Sequence, residues 1–427
     1  MPMSLIHDPV QQQLIEQYSK VRRFTDRLVE PLSPEDCMIQ SMDDASPVRW
    51  HLAHTTWFFE TFVLRTDPTY SLYHDQYNYL FNSYYNAVGK QFPRPERGLI
   101  SRPGLNDIKK YRAYVDREIL MRLNSIELTP NMRQILLVGL NHEQQHQELI
   151  LTDIKHAFSC NPLLPAYRDA PFGDVGTVHQ APVKVTGGIF DIGFNGDGFC
   201  FDNEKPAHQV CVQSFSMDSN LVTCGQFIEF IEDGGYQNPD HWLSLGWSKT
   251  IESGWGAPLY WVKKNGQWLQ FTLAGLVPVN PQWPVCHVSY FEADAFARWS
   301  GKRLPTEFEW EIASRQAPRQ CPPGTDEPLA DTLLSSNLAI HPTRSPAGLS
   351  GSVWQWTASS YQAYPGYAPR KVRLASTTGN SCVTNTSCAA EVLQRRACTL
   401  GKPIAISFRR KHGGSLPEFG WPARQEP

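Results

Sequence analysis

Residues 142–148 read His-Glu-Gln-Gln-His-Gln-Glu, within a stretch, 132–157, that contains no proline and Gly139 as its one glycine. With no breaker to stop it, such a stretch is held to helix. On a helix His142 and His146 stand four positions apart, one above the other on the same face. Two imidazoles at that spacing are half of a metal site. Glu148 lies two residues beyond His146, about 200° further round, and so faces away from the pair. A third ligand has to come from another helix.

A chain of 427 residues is too long for one ordinary core, which predicts two domains. Apolar residues recur at helical spacing over 10–29, 44–64, 104–123 and 130–158. Four antiparallel helices on short loops predict a four-helix bundle. Asn161-Pro162-Leu163-Leu164-Pro165 has the composition of a crossing linker. Beyond Pro182 the chain is rich in Gly, Trp and short apolar alternations, with short helices expected at 223–233 and 290–300. That pattern predicts a loop-rich α+β domain. The division is therefore a bundle over 1–165, a linker over 166–181 and a second domain over 182–370.

The net charge of −3, without a basic run, argues against nucleic acid or an anionic membrane as partner. No apolar run approaches the roughly 20 residues of a membrane span, and the opening MPMSLIHDPVQQQ lacks the blocks of a signal peptide. Ten cysteines with no CxxC pair are read as reduced thiols, and the location expected is cytoplasmic. Thirteen tryptophans and 16 tyrosines suit either core filling or an aromatic-lined cleft.

Trp50-His51-Leu52-Ala53-His54, on the second helical segment, offers two candidates for the third ligand, His51 and His54. Facing helices of a bundle build such sites, and three neutral imidazoles leave metal positions open for oxygen or substrate. The string at 142–146 also satisfies the HExxH pattern of zinc proteases. That reading is the weaker one. No His-x-x-Gly-x-x-His continuation follows, and Asp153 and Asp169 are poor matches for its third ligand.

Wider strings surround these residues. Trp50-x-Leu52-x-His54, Phe81-Asn82-Ser83-Tyr84-Tyr85-Asn86, Arg94-Pro95-Glu96-Arg97-Gly98 and Ser101-Arg102-Pro103 resemble the DinB-like domain of the sulfoxide synthases of ergothioneine biosynthesis (EgtB type). In the second part, Gly187-Gly188-Ile189-Phe190 and Phe201-Asp202-Asn203-Glu204-Lys205-Pro206-Ala207-His208 are similar to the fold that those enzymes carry. Val285 to Tyr290, Gly301 to Glu307 and Val353-Trp354-Gln355-Trp356-Thr357 continue the likeness. The fold class implied is multi-domain, α and α+β. A DinB-like four-helix bundle precedes a C-type-lectin-like formylglycine-generating-enzyme (sulfatase-modifying factor) fold.

The resemblance implies a mononuclear non-haem iron(II) enzyme. It would use O2 to join a thiol sulfur to C2 of the imidazole of Nα-trimethylhistidine (hercynine), with oxidation to the sulfoxide. It assigns Fe(2+) to His54, His142 and His146, and so selects His54 over His51. Gln145 is then a contact to the betaine, and Tyr84 and Tyr85 line the site with one hydroxyl available as proton donor. Arg94 and Arg97 grip the carboxylate of the thiol substrate. The tyrosine pair with these arginines resembles the branch that takes cysteine rather than γ-glutamylcysteine. The rival readings are an ovothiol-type 5-histidylcysteine sulfoxide synthase and a non-catalytic metal- or ligand-binding module.

After Tyr367 the resemblance stops. The tail 371–427 has scattered Arg, Cys, Ser and Thr with little periodicity. Back-translated and read one nucleotide out of phase, residues 376–381 can give Tyr-Asn-Gly-Lys-Phe and residues 388–390 Arg-Gly-Gly. Residues 402–407 can give Thr-Tyr-Arg-Asn-Phe-Phe, and 412–420 Arg-Trp-Gln-Phe-Thr-Gly-Ile-Arg-Leu. These are the missing family strings in family order, which places a reading-frame shift close to 369–372. The expectation is a second domain left incomplete, with unpaired strand edges and impaired activity.

Overall fold

The structure, a computed structural model, describes residues 8–83, 85, 88–173, 181–316, 337–342 and 353–368. Tyr84 and the whole tail, with its expected frame shift, lie outside the described residues.

Helix α1 (Pro9–Val29) begins where the Asp8 carboxylate accepts the Val10 N–H at 3.0 Å and Pro9 fills a position that needs no donor. Helix α2 (Val48–Phe62) buries every residue except Thr61. A helix covered on all sides is the centre of its bundle. Around it lie the short α3 (Tyr77–Phe81), which the apolar periodicity does not predict, and α4 (Leu105–Ser125) and α5 (Pro130–Ser159), which it does. Thr129 starts α5 by accepting the Met132 N–H at 3.2 Å, and Pro130 follows it.

Gly139 sets how closely α5 approaches α2. A Cβ there would stand 2.5 Å from a ring carbon of Phe59 and 2.8 Å from one of Phe58. Only a hydrogen fits, so the two helices meet tightly just below His142.

The second part is built of short pieces. Antiparallel β1 (Val183–Val185) pairs with β4 (Phe215–Met217), and β2 (Gly188–Ile192) pairs with β3 (His208–Val212). A meander follows, β5 (Trp261–Lys264), β6 (Gln267–Thr272) and β7 (Gly275–Pro278). Helices α6 (Cys224–Glu232) and α8 (Tyr290–Trp299) stand where the pattern predicts them. Capping boxes, Thr223 with Gln226 and Ser289 with Glu292, open both. Helices α7 (Ser244–Glu252) and α9 (Glu307–Gln316) were not expected. They are as long as α6 and α8 but less regularly amphipathic, so no periodic signal stands out. Phe227, Phe230, Tyr236, Trp242, Phe291 and Phe296 form the core between α6 and α8.

The two parts share a buried seam. Phe271 and Leu273 belong to the same apolar cluster as the bundle interior. Tyr167 crosses it, donating its hydroxyl to the Leu28 carbonyl at 2.7 Å and its N–H to the Leu273 carbonyl at 2.9 Å. A helical bundle followed by a loop-rich α+β part is the architecture the sequence predicts. Among the described residues no helix is long and apolar enough to cross a membrane.

Candidate metal centre

Helix α5 presents three polar faces, and the site occupies one of them. His142, His146 and Asp153 turn toward α2, where they meet His51 and His54. Nε2 of His142 lies 3.2 Å from Nε2 of His54 and 3.1 Å from Nε2 of His146. Among the described residues, one group of potential ligands stands out: His54, His142 and His146, whose donor atoms all lie within 4.8 Å of one another.

Ring orientation follows from what each other nitrogen touches. Nδ1 of His54 is 2.6 Å from the Phe81 carbonyl, which can only accept, so Nδ1 carries the proton and Nε2 a lone pair. His146 uses Nδ1 toward Nδ1 of His51 at 2.8 Å, and Nε2 of His51 reaches Oδ2 of Asp153 at 3.0 Å. His142 keeps a buried Nδ1 with no hydrogen-bond partner. Burial holds His142 down at about 4 and drives His54 and His146 well below the ordinary histidine value; for those two the neighbouring His142 adds to it. The rings are neutral donors.

Three Nε2 atoms therefore converge with too few protons between them. His142 can offer one proton to two neighbouring nitrogens, and His54 offers none. A cation would supply what this cluster lacks. Nitrogens about 2.0–2.1 Å from one ion would stand roughly 3 Å apart at right angles, which is the spacing of Nε2 of His142 from each of the other two.

A layered stack holds His54. The Arg97 guanidinium lies 3.5 Å over the Trp50 ring, Trp50 stacks on His54 at 4.6 Å and 12°, and His54 stacks on Trp57 at 5.6 Å and 17°. Arg97 is buried, and its two amino groups donate to the hydroxyls of Ser46 and Ser83 at 2.9 Å each. Its charge adds to the forces that disfavour protonation of His54 and His146. Arg94 is half-buried and donates to the Asp44 carbonyl. Tyr85 packs on Trp57 at 5.6 Å and Phe62 at 5.2 Å, and burial raises its hydroxyl so that it keeps its proton. Gln145 is half-buried beside His146 on α5.

The other two faces of α5 are closed by different partners. Glu143, the acid of the HExxH string, is wholly buried against α1 and α4. It accepts from Arg22 at 2.8 Å, Arg112 at 2.7 Å and Thr25 at 2.7 Å. Burial alone would raise its carboxyl, but the charges of Arg112 and Arg22 hold it at about 2. A carboxylate clamped this way, turned from the histidines, cannot serve as the general base of a zinc protease. Glu148 takes the indole N–H of Trp354 from the second part, and burial pushes its carboxyl up to about 8. Two turns on, Lys155 meets His287 at 2.6 Å.

Sequence reading missed three of these residues: His51 as a neighbour of His146, Asp153 behind it, and Glu143 as an ion-pair hub. The signal was present, since Asp153 stands seven positions past His146 and so returns to its face.

With this geometry in hand, comparison with known proteins adds the following. Residues 17–150 match the DinB superfamily, and residues 172–332 match the sulfatase-modifying factor enzyme 1-like domain. A hercynine oxygenase of Mycolicibacterium smegmatis is 32% identical over 377 residues, 83% of this chain and 85% of that protein. A hercynine oxygenase of Mycolicibacterium thermoresistibile is 32% identical over 384 residues, 84% and 82% of the two chains. A formylglycine-generating enzyme of Streptomyces coelicolor is 34% identical over 149 residues, 32% of this chain and 47% of that one.

Proposed function

The chain belongs to the hercynine oxygenase family of sulfoxide synthases, and from that membership we propose that it joins cysteine to hercynine with O2 at an iron(II) held by His54, His142 and His146. The observation that carries the reading is the convergence of three neutral Nε2 donors beside a stacked aromatic wall. Their donor set fits the ion: imidazoles suit iron, and three of them leave positions open for substrate. Iron(II), when bound, supplies redox chemistry with dioxygen and an acid that favours the thiolate of the thiol substrate.

The balance of the reaction is one thiol, one imidazole C2–H and one O2, giving a C–S bond, a sulfoxide oxygen and water. Four electrons leave the organic substrates, two for the C–S bond and two for the sulfoxide. The protein's own tasks follow. Gln145, one residue before His146, orients the betaine. Arg94 and Arg97 place positive charge for the carboxylate of the thiol. A hydroxyl of Tyr84 or Tyr85 holds a proton available for transfer to the developing water. Trp50 and Trp57 keep the His54 plane fixed.

The test is oxygen uptake and product mass with iron(II), cysteine and either hercynine or histidine, on the 427-residue chain and on a chain with the frame restored after 369. Coupling at C2 of hercynine by the restored chain, with little by the original, is the expected result. Coupling of unmethylated histidine at another ring carbon points instead to ovothiol-type chemistry. Full turnover by the original chain refutes the expected loss of activity, sequencing the gene across 369–372 tests the frame shift itself, and no coupling by either chain sinks the assigned function.

A further inference from the structure

We propose that Asp153 and His51 form a positioning relay that locks His146 in its metal-binding tautomer, an inference that rests on the three-histidine reading above.

The direction of every hydrogen bond in this chain is forced from its far end. Oδ2 of Asp153 receives the backbone N–H of Ser46 at 2.8 Å, and a backbone N–H can only donate. An Asp carboxylate has acceptors only, so the same oxygen also accepts from Nε2 of His51, 3.0 Å away, and Nε2 of His51 carries the proton. In a neutral imidazole the second nitrogen is then an acceptor. Nδ1 of His51 faces Nδ1 of His146 at 2.8 Å, so His146 donates from Nδ1 and its Nε2 is left with a lone pair. That lone pair points into the cluster, 3.1 Å from Nε2 of His142. Reverse any link and His146 presents an N–H to the metal instead.

Each member is also fixed in place. His51 is 2% exposed, Asp153 8% and His146 8%. Ser46, which sets the polarity, has its hydroxyl held by the buried Arg97. His54 reaches the same tautomer by a shorter route, through one carbonyl. The site thus has two anchored ligands and, in His142, one whose Nδ1 has no partner. Partners behind ligating histidines typically change metal affinity by about 10- to 100-fold.

The experiment titrates the metal-free 427-residue chain with Co(II), reading its visible absorption bands and its dissociation constant, with thermal unfolding as the check on folding. His51→Leu removes the acceptor for His146 and is expected to weaken Co(II) binding about 10- to 100-fold and to alter the bands. Asp153→Ala frees His51 to reverse its tautomer and is expected to weaken it likewise. His51→Asn keeps an acceptor oxygen near the position of Nδ1 and is expected to restore most of the affinity and the native bands. His142→Ala tests the underlying site and is expected to abolish the bands. Native affinity and bands in His51→Leu and Asp153→Ala, beside a silent His142→Ala, overturn the relay and leave the site standing. Native binding by His142→Ala overturns the three-histidine reading itself. If His51→Leu fails to fold, His51→Asn against Asp153→Ala decides: equal weakening of both refutes the acceptor role.

Discussion

Two faces of α5 bury polar clusters of comparable size, and they are completed in opposite ways. Toward α1 and α4, Glu143 is met by two guanidinium groups and a hydroxyl, and Arg22 and Arg112 turn their Nε donors on Asp116 and Asp26. Charge there is balanced within the protein, although Nη1 of the buried Arg112 has no hydrogen-bond partner. Toward α2, three imidazole nitrogens converge with one proton at most to share between His142 and its neighbours. Buried polar groups are costly unless paired, so a cluster that the chain closes by itself is read as structural and one left open is read as built for a ligand. The lesson separates His142 from Glu143, adjacent residues of one motif.

The largest effect that tests this contrast is on folding. Glu143→Ala leaves two buried guanidinium groups without their shared anion and is expected to cost about 3–5 kcal/mol of stability. His142→Ala is expected to cost far less in the metal-free protein, because it removes a donor that has no partner at Nδ1. Urea unfolding of both metal-free variants checks this. Equal losses would show that the two clusters are alike after all.

Next in size is a change that strikes the α2 face through one atom. Gly139→Ala drives a methyl into Phe58 and Phe59, and overpacking of this kind typically costs about 1–3 kcal/mol. Relief of the clash requires α2 and α5 to separate, which carries His54 away from His142. Co(II) affinity is therefore expected to fall together with stability. A stable Gly139→Ala chain with native Co(II) binding would mean that helix spacing does not set the site.

How much of this was legible beforehand depended on range. The i, i+4 histidines and the bundle helices were legible because both are local periodicities, carried by residues a turn apart. The choice between His51 and His54 was not legible in the periodicity and came from the family resemblance alone, since both lie on α2 and in physical terms only the packed partner helix distinguishes them. Nδ1 of His54 finds the Phe81 carbonyl, while His51 finds Asp153. Arg22 and Arg112 could not be tied to Glu143 because each lies on a different helix, 121 and 31 residues away in sequence. Helices α7 and α9 equal α6 and α8 in length but are less regularly amphipathic, which leaves them without a periodic signal.

The third face of α5 gives the smallest and most selective test. Lys155 is 3% exposed, its Nζ touches Nε2 of His287 at 2.6 Å and stands 4.8 Å from the Tyr260 ring centroid. Burial, partly offset by Cys286, brings its ammonium down to about 8. An unfolded lysine holds its proton to about 10.4, so between those values the unfolded chain binds the extra proton. Stability contributed at this position therefore rises with pH across that window, by at most about 1.4 kcal/mol per pH unit. Lys155→Met has no such dependence. The stability of the parent relative to Lys155→Met is expected to be flat below pH 8 and to climb above it, as measured by urea unfolding at pH 7, 8, 9 and 10. Parallel curves would mean that Lys155 keeps its ordinary proton affinity, and that this face, like that of Glu143, finds enough compensation within the fold.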